Sequence, residues 1–226
     1  MSAALSVVIP ALDAARTIGA AIDSVASPHT GEILVADGGS TDDTRAVAEA
    51  HGARVIEVPK GRGAQLCAGA AAAGGGWLLF LHADTRLSPS WQAEAGNFMD
   101  IPSNRRRAGV FRFRLDSSAP EARRLEGRVD WRCRRLGLPY GDQGLLISRR
   151  LYEEIGGFAP VPLMEDVDIV RRIGRRRLHF FDAAAITSAA KFERDGWRRR
   201  SARNLVCLTL WFAGVPPRLI ARLYGR

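Results

Sequence analysis

Three observations predict an α/β fold on a mainly parallel central sheet flanked by helices. Short apolar, β-branched runs alternate with segments whose apolar residues recur every three or four positions, the spacing of one helix face. One run, Trp77-Leu78-Leu79-Phe80-Leu81, is continuously apolar, as strands buried on both faces are. Acidic residues stand where such runs stop, and open α/β sheets bind their ligands at the carboxyl ends of strands.

The elements follow in order. Leu5-Ser6-Val7-Val8-Ile9 reads as a first strand stopped by Pro10. Ile18, Ile22 and Val25 mark a helix that Asp13 is placed to cap. Ile33 to Ala36 is a second strand. The turn Asp37-Gly38-Gly39-Ser40-Thr41-Asp42 then leads into a helix capped by Ser40 or Thr41 and reaching Glu49. Val55 to Val58 is a third strand, and the small residues from Gly61 to Ala73 predict a helix lying close to the sheet. Trp77 to Leu81 is the fourth strand, after which Ser88-Pro89 opens a helix as cap and first helical residue. Phe111, Phe113 and Leu115 alternate with Arg112 and Arg114, which predicts an edge or half-exposed strand. Leu125, Val129, Cys133 and Leu136 share one face of a very basic helix. Gly144 to Ser148 is a strand followed by a helix ending at Gly156-Gly157, and a last helical pattern runs from Val167 to Ile173.

At 226 residues and 46% hydrophobic, the chain has material for one sizeable core. A net charge of +9 favours anionic partners: nucleotides, phosphates, nucleic acid or an acidic membrane surface. The alternative is an arginine excess of composition alone. Nucleic acid is set aside, because no recognition motif accompanies the arginines. Cys67, Cys133 and Cys207 are scattered, with no C-x-x-C pair, which suits a reducing compartment. The start of the chain lacks the pattern of a secretory signal. The longest apolar stretch, Leu205 to Val215, is interrupted by Thr209 and Gly214 and falls short of the ~20 residues that span a bilayer. A cytoplasmic protein is expected. Arg198, Arg199, Arg200, Arg203, Arg218, Arg222 and Arg226 flank that stretch. It is read either as a basic amphipathic helix on the inner face of the cell membrane or, the reading favoured, as a helix covering the sheet's edge with its arginines solvated.

Two familiar phosphate loops are missing. There is no G-x-x-x-x-G-K-[ST], and Gly61-Arg62-Gly63-Ala64-Gln65-Leu66 has Leu66 where G-x-G-x-x-G needs glycine. Three acidic segments remain. Asp37 to Asp42 is either a turn with a helix cap or a place where glycine lets the backbone approach a nucleotide while Asp37 binds base or ribose. In His82-Ala83-Asp84-Thr85, a charged turn competes with a site where Asp84 holds a divalent cation bridging two phosphates. His82 would be a second ligand there, since imidazole suits Mn²⁺ better than Mg²⁺. Met164-Glu165-Asp166-Val167-Asp168 is either an acidic first helical turn favoured by the helix dipole or a general base with a neighbour that positions an acceptor.

These segments together with Leu5-Ser6-Val7-Val8-Ile9-Pro10 and Gly156-Gly157-Phe158 resemble, in order and separation, a family 2 glycosyltransferase of the GT-A fold. Residues 139–144, 162–166 and 193–197 are similar to a short subgroup labelled radical-SAM/selenodomain-associated transferase or arsenosugar-biosynthesis glycosyltransferase. The resemblance implies an inverting transfer from a nucleoside-diphosphate sugar, UDP-sugar favoured, to an unidentified acceptor, with Mn²⁺ or Mg²⁺. It assigns Pro10, Ala11, Asp13, Asp37, Gly39, Arg62, Ala83 and Asp84 to the nucleotide sugar and Asp84 with His82 to the metal. Asp142 and Gln143 fall on the acceptor side, and Asp166, with Glu165 beside it, matches the catalytic base. It implies a domain over 1–190, with a nucleotide half at about 1–100 and an acceptor half at about 101–190. Residues 191–226 form a basic amphipathic helical segment of the same domain. Ala11, Gly38 and His82 depart from the family pattern, which has Asn, Asp and Asp there. A nucleotidyltransferase shares the α/β plan, but residues 9–13 lack its glycine-rich basic signature. A non-catalytic sugar-nucleotide-binding protein is the rival outside enzymes, with His82 in the metal motif as its evidence.

Overall fold

The computed structural model describes residues 4–224. Among them eight strands form one sheet in the order β3-β2-β1-β4-β7-β6-β8-β5. They are β1 (Leu5–Ala11), β2 (Thr30–Asp37), β3 (Arg54–Glu57), β4 (Trp77–Phe80), β5 (Thr85–Leu87), β6 (Ala108–Leu115), β7 (Leu145–Ser148) and β8 (Leu178–Thr187). The helices are α1 (Ile18–Val25), α2 (Thr44–Ala50), α3 (Arg62–Ala72), α4 (Trp91–Asp100), α5 (Pro120–Leu136), α6 (Arg149–Glu154), α7 (Glu165–Ile173), α8 (Ala190–Asp195), α9 (Trp197–Phe212) and α10 (Pro217–Tyr224).

The first four strands are parallel, and β1 has β2 on one side and β4 on the other. The strand order therefore reverses between β1 and β4, where an α/β sheet opens a crevice. Beyond β4 the sheet is mixed: β7 runs antiparallel to β4 and β6, while β6 and β8 are parallel. The central sheet is thus mixed, with an unbroken parallel run only across its first four strands.

Alternation along β1 sends Val7 and Ile9 into a core with Ile18, Ile22, Trp77 and Trp91, and Val8 into a second core with Leu66, Phe80 and Ile169. Helices so cover both faces. α3 comes closest: a Cβ on Gly69 would lie 2.3 Å from Val8 Cγ1, and one on Gly63 2.4 Å from the Ala159 carbonyl. These glycines let the helix sink onto the sheet and against the loop that precedes α7.

Several elements differ from the sequence reading for local reasons. β1 continues through Pro10 to Ala11. Val8 bonds to the β4 side, so Pro10 faces that side too, one rung past the end of β4, where no donor is needed. Asp13 does not cap α1, which begins at Ile18 without a side-chain cap; its carboxylate accepts from the Thr41 amide at 2.8 Å. Ser40 and Thr41 do not cap α2, which begins at Thr44. Ser88 does not cap α4, which begins at Trp91; Ser88 instead exchanges two bonds of 2.8 Å with Ala184 and so extends the β5–β8 ladder. β6 is an interior strand between β7 and β8, with Phe111 buried. The buried stripe of α5 is Ala122, Glu126, Val129 and Cys133, while Leu136 is exposed. Glu126 goes inward because its carboxylate accepts from the Leu115 amide at 2.9 Å and pairs with Arg123 at 2.6 Å. Strands β5 and β8 carry no apolar alternation long enough to announce them.

At the end of the chain α9 and α10 pack on each other and on the loop before α7 through Cys207, Ile220, Ala221 and Leu163. Among the described residues no helix is long and apolar enough to cross a membrane.

Candidate active site

A cavity lies beyond the carboxyl end of β4. Arg62, His82, Asp84, Asp142, Glu165 and Asp166 all line it. Each arrives on a different device. Arg62 opens α3, which the glycine contacts hold against the sheet. His82 and Asp84 leave the end of β4, and the Asp84 carbonyl is fixed by the Ser188 amide at 3.1 Å. Glu165 and Asp166 begin α7, just after Met164 takes the left-handed conformation (φ 67°). That turn, unusual for a side chain larger than glycine, aims the first helical turn into the cavity.

The carboxylates are held by three means. Asp166 accepts from the Gly141 amide and from its neighbour Val167, both at 2.8 Å, at a helix N-terminus that favours negative charge. Glu165 is 1% exposed and lies 3.4 Å from the Arg62 guanidinium. Burial works against the Arg62 charge, but Glu165, Asp166 and Asp84 outweigh it and raise the pKa of the guanidinium. Asp84 pairs with Lys191 at 2.8 Å. Burial alone would push the Asp84 carboxyl up; Lys191, then His82 and Arg62, bring it below the usual carboxylate range. Gly141 sits between two of these groups. A Cβ there would lie 2.7 Å from His82 Nε2 and 3.4 Å from Asp166 Oδ2, so its bare backbone lets both approach.

Asp142 behaves differently. Its Oδ1 is buried without a hydrogen-bond partner among the described residues. Burial pushes its carboxyl up to about 6, against the pull of Arg132 and with the push of Asp166 and Asp84. The folded state therefore keeps this proton between about pH 4 and pH 6 while the unfolded chain loses it, and stability falls as pH rises through that window. Asp142→Asn is expected to be more stable than the parent above pH 6 and equal to it below pH 4. Denaturant unfolding at both ends of the range reads this; a variant less stable at pH 7.5 would contradict it.

Other expected site residues lie outside this cavity. Pro10, Ala11 and Ala83 are buried. Asp37 is fully buried, and its carboxylate accepts from Gly39 N at 3.0 Å, Ser40 N at 2.9 Å and the Ser40 hydroxyl. It shapes the loop after β2. Gly39 (φ 87°) is exposed on that loop, which Asp13 ties to the end of β1. Gln143 is buried as well, donating to Phe111 O at 3.0 Å and accepting from Cys133 Sγ at 3.1 Å. Its polar atoms are used in holding the 140–144 loop rather than facing the cavity.

Sequence reasoning missed Lys191, Tyr140, Arg200, Asn204 and Tyr224, which also line the cavity. Lys191 had one signal: it is one of two lysines among 33 basic residues. The others come from α9, α10 and the loop after α5, and no spacing links them to the acidic segments.

Comparison with known proteins settles the family. The model for Glycosyl transferase family 2 matches residues 6–152. The chain belongs to glycosyl transferase family 2. Glucosyl-3-phosphoglycerate synthase of Mycolicibacterium paratuberculosis is 44% identical over 92 residues, or 35% of this chain and 28% of that one. The enzyme of the same name from Mycobacterium tuberculosis is 41% identical over 92 residues. The match thus spans less than a third of these curated relatives. A crystal structure of the M. tuberculosis synthase with Mn²⁺, UDP-glucose and phosphoglyceric acid shares the fold, with a TM-score of 0.63 at 24% identity, covering 95% of this chain and 81% of that one. Another structure of that synthase gives a TM-score of 0.60 at 26% identity over 82% and 71%. These relatives bear the synthase name and not the subgroup label that residues 139–144, 162–166 and 193–197 suggested; the GT-A fold and the family stand.

Proposed function

We propose that this chain is an inverting glycosyltransferase that moves a sugar from a nucleoside-diphosphate sugar, UDP-sugar favoured, to a hydroxyl-bearing acceptor. One observation carries the reading. In a family 2 chain, Arg62, Asp84 and Asp166 converge on a single cavity at the carboxyl end of β4.

The chemistry follows from the residues. Asp166 takes the proton of the acceptor hydroxyl. The acceptor oxygen bonds to the anomeric carbon as that carbon's bond to the diphosphate oxygen breaks, and the electron pair leaves with the diphosphate. Arg62 and Lys191 face the charge that develops on it. The loops of Pro10-Ala11, Asp13, Asp37 and Gly39 hold the nucleotide, and Ala83 lies beside the diphosphate. Asp142 meets the acceptor. This divides the chain into a nucleotide half at about 1–100 and an acceptor half at about 101–190, completed by 191–226.

The donor set fits a divalent cation carried in with the diphosphate. Asp84 and His82 would hold it, and among the described residues no group of three metal-ligating side chains forms a cage of its own. Such cations take their remaining ligands from phosphate and water. The cation would neutralise charge on the leaving group. The M. tuberculosis complex with Mn²⁺ and UDP-glucose supports both the metal and the donor class. The acceptor class to test first is the phosphoglycerate of those relatives. The setting is the cytoplasm.

A panel of sugar nucleotides with Mn²⁺ or Mg²⁺ tests the proposal by release of the nucleoside diphosphate. One member is expected to turn over, faster when acceptor is added. Tight binding with no release from any member would instead favour a non-catalytic binding protein.

A further inference from the structure

We infer that α9 and α10 form a docking surface for an anionic lipid bilayer. The inner faces of these helices are spoken for: Cys207, Ile220 and Ala221 are buried with Leu163. The outer faces are not. Five of the nine large hydrophobic side chains exposed among the described residues lie here: Leu205 at 63%, Val206 at 55%, Phe212 at 49%, Leu219 at 48% and Leu223 at 65%. On α9 the exposed positions Arg198, Ala202, Leu205, Thr209 and Phe212 recur at spacings of four and three, which is one helix face. On α10 the exposed pairs are Arg218-Leu219 and Arg222-Leu223. Five exposed large apolar side chains concentrated on one pair of helices mark an interaction site.

Charge decides the partner. After Asp195 the sequence contains no acidic residue. Asp195 is itself taken by Arg200 at 2.9 Å and Arg203 at 3.0 Å, and also by Arg194. Those two arginines are turned inward, whereas Arg198, Arg199, Arg218 and Arg222 are exposed, with no ion pair among the described residues. Leucine and phenylalanine between unpaired arginines match a surface with negative headgroups above hydrocarbon. A second copy of the chain does not fit: a two-fold contact would set these arginines against their own images, with no carboxylate on the face to answer them. The same helices give Arg200, Asn204 and Tyr224 to the cavity, so docking brings the cavity wall against the bilayer.

The test uses the full chain and sedimentation with vesicles. Equimolar phosphatidylglycerol and phosphatidylcholine should bind it, and pure phosphatidylcholine should bind at least tenfold less. Binding should weaken as salt is raised, because the arginine contribution is screened. Leu205→Glu with Leu223→Glu places charge at two exposed positions and should cut vesicle binding at least tenfold. Unfolding midpoint and diphosphate release in solution should stay unchanged, so failure of the docking surface is separable from failure of the transferase. Arg218→Gln with Arg222→Gln should lower binding and its salt dependence together. Equal binding by parent and the glutamate variant overturns the proposal. So does a dimer in light scattering that the glutamate variant abolishes.

Discussion

Asp166→Asn is expected to lower transfer about 10²–10⁴-fold, the range for loss of a general base, while sugar-nucleotide affinity changes little. The substitution keeps the shape of the side chain, so a carbonyl oxygen can still accept from the Gly141 amide that now bonds Asp166 at 2.8 Å. What it removes is the ability to take a proton. Single-turnover transfer and calorimetric titration of the donor separate the two effects. Full transfer with Asn at 166 would remove the assignment, and loss of donor binding in step with loss of rate would recast Asp166 as a donor ligand. Glu165 is the control. It is almost fully buried beside Arg62, so Glu165→Gln should act through the placement of that guanidinium and show in stability as well as rate.

Arg62→Met is expected to have the largest combined effect, on stability and on donor binding. It leaves the buried Glu165 without a cation 3.4 Å away. Breaking one side of a buried pair costs about 3–5 kcal/mol. Arg62 is 24% exposed, so the lower end, about 3 kcal/mol, is the fair figure once screening is counted. For a chain of this size that is a midpoint lower by roughly 6–12 °C. Adding Glu165→Gln should restore part of the stability, because a buried carboxylate charge goes with it, but none of the donor affinity. If the double variant is no more stable than Arg62→Met, the pair is not what holds the two elements. If donor affinity survives, Arg62 does not face the diphosphate.

Much of the fold was legible because parallel strands buried on both faces announce themselves. β1, β2 and β4 carry runs of apolar residues of the kind that strands buried on both faces show, and the glycines of α3 signalled its close approach. What stayed hidden depended on partners remote in sequence. β8 gathers its neighbours β6 and β5 from residues far upstream, and the arginines of β6 suggested an edge where β8 in fact lies beside it. Helix starts were displaced for the same reason. Asp13, Ser40 and Ser88 have the chemistry of caps, but each found a partner elsewhere: Thr41, Asp37 and Ala184. The site was legible where a motif sits at a strand end, as with Asp84, or opens a helix, as with Glu165-Asp166. Lys191 was not, because a single lysine gives no pattern; only the folded chain sets it against Asp84.

The wall of the cavity changes ownership along the chain. The family match ends at residue 152, after it has supplied Arg62, His82, Asp84 and Asp142. Glu165, Asp166, Lys191, Arg200, Asn204 and Tyr224 all come later. The cavity is thus assembled from both stretches, and it exists only while the chain from Glu165 onward stays packed against the end of β4.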